Sequence, residues 1–262
     1  MTKLKDADES AHATRDRQLF DAIAQSYCRK DLHRASQLAR RQRLEASVDA
    51  AGISRAGALL EVGCGAGFAA RYLAGRYRSY VGIDYAAELV RLAREHNALP
   101  GARFEAAGIR DFMPRERFDM VLMIGVLHLL DDMLGTLRHI AELLVPGGFL
   151  VANEPQPANP VIRVARQARK RLDARYSSDQ IELTAKELGE LYAAAGFVDV
   201  KLVPQGLFAT PFAEVALPAE RLMVPFARLA CALDRSLAGL PGMGKLSWNL
   251  IAVGRKPAGS PS

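Results

Sequence analysis

The sequence predicts a doubly wound α/β fold: a mostly parallel, seven-stranded sheet with helices on both faces, extended by N-terminal helices and helical insertions. Two patterns predict it. Short apolar runs with strand character alternate with stretches whose apolar residues recur every three to four positions, and successive parallel strands are joined compactly only by right-handed helical crossovers. A glycine-rich turn, "EVGCGAG", follows directly on the first such run, where these sheets pass from strand into helix. With 262 residues, half of them hydrophobic and 24% charged, the chain can bury the core of one large domain.

The elements follow in order. The first dozen residues are polar and are expected to be disordered. From Arg15 to Ala51 there is no proline, and Leu19, Phe20, Ile23, Ala24 and Tyr27 recur at helical spacing, which predicts one or two amphipathic helices ending at Gly52. Strands are predicted at Ala58 to Val62, Tyr80 to Ile83, Arg103 to Ala106, Phe118 to Met123 and Phe149 to Ala152, with helices at Ala69 to Arg76, Ala86 to Asn97 and Met133 to Leu144. After Asn153 the rhythm breaks: "EPQPANP" reads as a linker, and "VIRVARQARKRLDAR" as a basic amphipathic helix. Thr184, with Glu187 three residues on, opens a helix that Gly196 closes, and Val198 to Val203 is a strand. Gly206 to Gly244 is a second departure, rich in Leu, Phe, Met and Ala, before a last strand in "KLSWNLIAVGRK". The chain divides into an N-terminal helical cap, 1–54, and a main domain, 55–262, with insertions at about 155–183 and 206–245.

Composition narrows the class. Cys28, Cys64 and Cys231 are odd in number and scattered, which argues against a disulfide framework or a zinc site, and no metal is expected. The longest apolar run, Met120 to Leu130, is too short to span a bilayer as a helix, and the N-terminus lacks an apolar signal core, so the expected compartment is the cytoplasm. A net charge of +6 on a chain this long is read as ordinary solubility.

Gly63, Gly65 and Gly67 stand at the strand-to-helix turn, where absent side chains let the backbone bend sharply and bring free amides up to a ligand. The dinucleotide fingerprint G-x-G-x-x-G is disfavoured, because its third glycine would fall at Phe68. Asp84 ends a strand 17 residues after Gly67, where a carboxylate accepts from both hydroxyls of a ribose; a cap for the next helix is the alternative. Glu61 is an acid in an apolar strand, and burial there calls for a partner: an amino-bearing ligand or a loop amide.

Together these residues resemble the class I S-adenosylmethionine-dependent methyltransferases of small-molecule type. "EVGCGAG" resembles the first cofactor motif of the family, "FDMVLMIGVLHLL" its fourth-strand motif, and "LLVPGGFLVANEP" the following helix, turn and fifth strand. The resemblance implies a Rossmann-like methyltransferase fold with S-adenosylmethionine as cofactor. It places Glu61 near the methionine amino end, Gly63, Cys64, Gly65 and Gly67 in the loop, Asp84 and Tyr85 at the ribose, and Ile124 on the fourth strand. It also makes Tyr27, in "FDAIAQSY", a residue covering the cofactor, with a half-buried helix aromatic as the alternative. Where the family often carries an acid for the adenine amino group, this chain has Gly108; Ile109 is then expected to pack on the adenine, with Asp111 nearby as substitute.

Methyl transfer needs orientation, exclusion of water and, for some acceptors, a base. His128, just past the fourth strand, is the candidate base, against a packed or substrate-orienting histidine, and Glu154, ending the fifth strand, is a second acid expected to touch the acceptor. The 206–245 insertion, with Leu207, Phe208, Phe212, Leu222, Met223, Phe226, Leu229 and Leu233, is read as a lid over a hydrophobic acceptor, or else as a core extension or dimer contact. The basic segment 161–175 suggests peripheral membrane contact, against a solvated charged face. The expected substrate is a small apolar molecule, lipid-, quinone- or polyketide-like. Nucleic acid is not an expected partner, because the basic residues are not interleaved with aromatics. RNA or protein methylation, and a non-catalytic regulator that binds S-adenosylmethionine, are the alternatives. A nicotinamide oxidoreductase is disfavoured by the glycine spacing and by the lack of a Tyr-x-x-x-Lys relay.

Overall fold

A computed structural model describes residues 18–26, 28–29, 31–157, 159, 183–214, 220–237 and 243–259. Seven strands form one sheet: β1 (Ala56–Val62), β2 (Tyr77–Asp84), β3 (Ala102–Ala106), β4 (Phe118–Ile124), β5 (Leu144–Pro155), β6 (Val198–Gln205) and β7 (Asn249–Arg255), in the order β3-β2-β1-β4-β5-β7-β6. β1 to β5 are parallel, and β7 runs antiparallel between β5 and β6. The doubly wound sheet predicted from the alternation is therefore present.

Helices cover both faces, which is why the central strands are apolar throughout rather than alternating with polar residues. On one face Leu60, Val81, Val121 and Leu150 pack with Leu137 and Ile140 of α4 (Met133–Leu143) and with Leu188 and Tyr192 of α5 (Ala185–Ala194). On the other, Leu59, Tyr80, Met120 and Val151 pack with α1 (Arg34–Ala50), α2 (Phe68–Tyr72) and α3 (Ala87–His96). Alternate residues of each strand thus serve opposite layers.

Several element boundaries differ from the predicted ones, β2 starting at Tyr77 rather than Tyr80 among them, and two have a visible cause. α2 stops at Tyr72 rather than Arg76, because Arg76 turns back to the loop before β1, donating to the Ser54 carbonyl at 2.7 Å and pairing with Asp49 at 2.7 Å. β5 extends well beyond Phe149 to Ala152, so the start of "EPQPANP" is strand rather than linker. Glu154 and Pro155 find partners opposite Leu250 and Asn249 of β7, and a register shift near Phe118 accommodates "VPGG" at the other end. The cap at Thr184 is as read from the sequence: its hydroxyl accepts from the Glu187 N–H at 3.3 Å, and the Glu187 carboxylate accepts from the Thr184 N–H at 2.8 Å.

The N-terminal helical region is interrupted at His33. α1 lies between the sheet and α7 (Glu220–Leu237), the long helix that follows the short α6 (Thr210–Glu214). A buried polar network fixes α1 on the sheet. Asn153 of β5, fully buried, donates to Ser47 Oγ at 2.9 Å and to Gln205 Oε1 at 3.4 Å, and accepts from Arg43 Nε at 3.2 Å. Such networks specify one register, since any slip strands buried polar groups.

The first dozen residues, Tyr27 and the basic segment 161–175 lie outside the described residues. Among the described residues no helix is long and apolar enough to cross a membrane, no group of three or more metal-ligating side chains gathers, and the three cysteines are free and buried.

Candidate cofactor and acceptor site

The site begins where β1 runs out. Gly63 and Cys64 both donate to the Ile83 carbonyl of β2, at 2.8 and 3.0 Å, and the chain then winds through three left-handed glycines, Gly63, Gly65 and Gly67, with φ of 71°, 52° and 76°. Two of the three are required by the protein's own packing. A Cβ at Gly63 would lie 2.4 Å from Val126 Cγ2, and one at Gly67 would lie 2.6 Å from Phe104 Cε1 and 2.8 Å from Ala93 Cβ. Gly67→Ala is therefore expected to cost roughly 2–4 kcal/mol, combining left-handed strain with overpacking. Denaturant unfolding measures it, and wild-type stability in the variant would contradict the packing described.

Gly63, Gly65 and Ile124 line a cavity at the carboxyl end of β1 and β4, together with Glu61, Arg40 and Arg43. Glu61 is buried, and its partner within the protein is the Tyr80 hydroxyl of the neighbouring strand rather than a loop amide. In the register Tyr80 stands opposite Leu59 and Gly82 opposite Glu61, and the space beside Gly82 is taken by Phe104 and Cys64, which a Cβ there would meet at 2.8 and 2.9 Å. Burial pushes the Glu61 carboxyl up to about 8, opposed by the Tyr80 hydrogen bond and reinforced by the charges of Asp84 and Asp31. Across the cavity, Arg40 pairs with Asp31 at 2.7 Å and donates to the Ala213 carbonyl at 3.1 Å, while Arg43 is held by Asn153. The Tyr72 hydroxyl, buried on the same wall, has no hydrogen-bond partner among the described residues.

At the tip of β2, Asp84 accepts from the Gly65 N–H and the Ala86 N–H, each at 2.9 Å. Burial holds its carboxyl above the usual aspartate range, against the pull of those two donors. The carboxylate thus closes the turn that leads into α3 and braces the glycine turn. Each oxygen keeps a second lone pair. Tyr85 next to it stacks edge-on against Phe20, with centroids 6.1 Å apart. Cys64 is buried, and burial together with the charges of Asp84 and Glu61 pushes its thiol up, leaving it an inert small apolar group. Gly108 follows β3, with Asp111 exposed beyond it. Ile109 packs into the core beside Ile83 and Phe112 and is only 7% exposed, so its side chain offers little surface to a ligand.

His128 and Glu154 form a pair. Glu154, 2% exposed at the end of β5, accepts the Val126 and Leu127 N–H groups through Oε1 at 3.1 and 2.9 Å. Its Oε2 meets His128 Nδ1 at 2.6 Å. It is therefore occupied in shaping the 3₁₀ turn Leu127–Leu129 and in orienting the imidazole, which corrects its reading as an acid that touches the acceptor. With Oε2 accepting, Nδ1 carries the hydrogen and Nε2 of the neutral ring is the basic nitrogen. His128 does not itself line the cavity, but Gly125 lies between it and the cavity residue Arg43: a Cβ on Gly125 would lie 3.9 Å from His128 Cε1 and 3.5 Å from Arg43 Nη2.

Residues 20–202 match a family described as a methyltransferase domain. The chain belongs to that family. The resemblance read from "EVGCGAG" therefore holds. Similar curated proteins include the fatty-acid O-methyltransferase of Mycolicibacterium smegmatis (strain ATCC 700084 / mc(2)155), 32% identical over 102 residues, or 38% of this chain and 37% of that protein. Another is the phthiotriol/phenolphthiotriol dimycocerosates methyltransferase 1 of Mycobacterium ulcerans (strain Agy99), 32% identical over 107 residues, or 39% of each chain. The chain thus spans about two fifths of the length of these relatives. Among solved structures, a SAM-dependent methyltransferase of Thermotoga maritima superposes with a TM-score of 0.63 over 91% of this chain and 98% of that one. At 17% identity that likeness shows the methyltransferase fold alone.

Sequence reasoning missed Asp31, Arg40, Arg43 and Tyr72. Helical spacing in α1 puts 40, 43, 44 and 47 on one side, but only the sheet behind them shows that this side closes the cavity.

Proposed function

We propose that the protein transfers a methyl group from S-adenosylmethionine to a small, apolar, lipid-like acceptor. The observation that carries this reading is the charge pattern of the cavity: a buried carboxylic acid, Glu61, faces two guanidiniums, Arg40 and Arg43, beside a backbone of glycines. An amino-acid zwitterion needs that pairing, an anion for its ammonium and a cation for its carboxylate. The residues present fit the cofactor. The Tyr72 hydroxyl is an unmet buried donor that a polar ligand would satisfy. Asp84, at the next strand tip, has lone pairs for the two ribose hydroxyls.

When bound, the sulfonium supplies an activated methyl group, and the chemistry is an in-line displacement. Glu61 and Arg43 hold the amino-acid end, Asp84 holds the sugar, and the buried walls keep water out. At a hydroxyl acceptor His128 Nε2 takes the proton, with Glu154 stabilising the imidazolium that forms. The apolar character of the acceptor is supported by the fatty-acid and phthiotriol names of the two relatives.

The test has two arms. Calorimetry with S-adenosylmethionine is expected to give one site, with affinity weakened roughly 100-fold or more in Asp84→Ala, which loses a charge-assisted bidentate contact. Methyl-labelled cofactor incubated with fractionated cell extract is expected to mark the lipid fraction. Unchanged affinity in Asp84→Ala would remove the cofactor assignment, and label found only in RNA or protein would remove the acceptor class.

A further inference from the structure

Helix α7 is built the wrong way round for a surface helix. It packs on α1 through small residues: Ala227, Ala230 and Cys231 are buried with Ala39 and Ala213, and Gln42 donates to the Cys231 carbonyl at 2.9 Å. Its large apolar residues face away. Leu222, Phe226, Leu229 and Leu233 are 66%, 59%, 58% and 37% exposed, and their spacing of four, three and four residues makes one continuous stripe. Arg221, Arg228 and Arg235, seven residues apart, form a second exposed row about a third of a turn from that stripe. Both acids of the helix are turned inward. Glu220 accepts from the Arg34 N–H at 2.6 Å, and the buried Asp234 accepts from the Leu207 and Phe208 N–H groups at 3.0 and 2.7 Å. The outward face therefore combines four large apolar side chains with three cations and no carboxylate.

We propose that this face docks on the surface of an anionic lipid bilayer. An amphipathic helix with leucine and phenylalanine on one side and arginine in a second row lies in the headgroup plane, its apolar side chains reaching the acyl boundary. Charge decides between a bilayer and a second copy of the chain. A second copy of the chain would offer the three arginines no free carboxylate from this helix, since both of its acids are engaged inward. Anionic headgroups complement it, and each arginine near such a surface contributes roughly fivefold in partitioning. The inference stands on the face of α7 and does not depend on the identity of the methyl acceptor.

Cosedimentation of the full chain with vesicles of phosphatidylcholine and phosphatidylglycerol, about three to one, tests it against vesicles of phosphatidylcholine alone. Binding to the mixed vesicles is expected, with marked weakening at high salt. Leu222→Gln/Phe226→Gln/Leu229→Gln is expected to lower it by about tenfold or more while the melting temperature stays unchanged, since these side chains are exposed. Arg221→Gln/Arg228→Gln/Arg235→Gln is expected to lower it roughly 100-fold on the anionic vesicles. The proposal is overturned if the wild type fails to sediment with mixed vesicles, or if either triple variant, folded, sediments as the wild type does. Sedimentation equilibrium showing a wild-type dimer that the glutamine triple dissolves, without vesicle binding, assigns the face to a second copy and also overturns it.

Discussion

Glu61→Gln is expected to stabilise the free protein by about 3 kcal/mol at pH 7 while weakening S-adenosylmethionine binding by roughly 100-fold. Both effects have one origin. Burial holds the Glu61 carboxyl at about 8 in the folded protein, against an ordinary value of 4.5. Between those two pH values the unfolded chain releases a proton that the folded chain keeps. The unfolded state then binds fewer protons, and stability falls by about 1.4 kcal/mol for each pH unit. Glutamine removes that loss and still accepts the Tyr80 hydroxyl through its amide oxygen. A ligand ammonium, however, asks for a charge that glutamine lacks, and charge-assisted hydrogen bonds are about twice as strong as neutral ones. Wild-type binding near pH 7 should also release about one proton, so affinity rises as pH goes from about 6 to 7.5, and the glutamine variant should lose that dependence. Denaturant unfolding at two pH values and calorimetry in two buffers decide the matter. Equal stability of variant and wild type near pH 8 would show that the buried acid carries no penalty.

The second large effect is at the histidine. His128→Ala is expected to lower kcat on a hydroxyl acceptor by 10²–10⁴-fold, the usual range for a lost general base, with cofactor affinity unchanged. Glu154 is a positioning residue and acts through His128. In Glu154→Gln kcat on a hydroxyl acceptor should fall while KM stays unchanged, because the imidazole loses the carboxylate that orients it. A structural role alone would lower stability without splitting kcat from KM. Glu154→Ala strands the Val126 and Leu127 N–H groups and is expected to cost about 2–5 kcal/mol of stability. Undiminished kcat in His128→Ala would mean an acceptor that needs no proton removed, such as a carboxylate.

The sheet was legible in the sequence because its central strands are buried on both sides, so unbroken apolar runs such as "MVLMI" mark them directly. The glycine turn was legible because Gly63 and Gly67 have no tolerated substitute of any size. What escaped depends on long-range pairing. The polar tail of β5 becomes strand only because β7 arrives from almost 100 residues away to pair with it. The Tyr80 partner of Glu61 follows from strand register, which the sequence alone leaves open. In α7 the periodicity was visible, but the inward side is the one with small residues, Ala227, Ala230 and Cys231. Leu222, Phe226 and Leu229, read as lining a lid, are exposed instead. Arg40 and Arg43 could not be told from Arg41 until α1 was set against the sheet.

The tether from Asn153 to Arg43 has a consequence for turnover. A guanidinium held from behind before any ligand arrives needs little further ordering, so its attraction is available in full on contact. On the proposed reading that attraction would act on the amino-acid end, which the spent thioether retains after it has given up its methyl. Grip of this kind is uniform across the reaction and speeds no chemical step. On the proposed reading, the used nucleoside would then compete with fresh donor for the same grip.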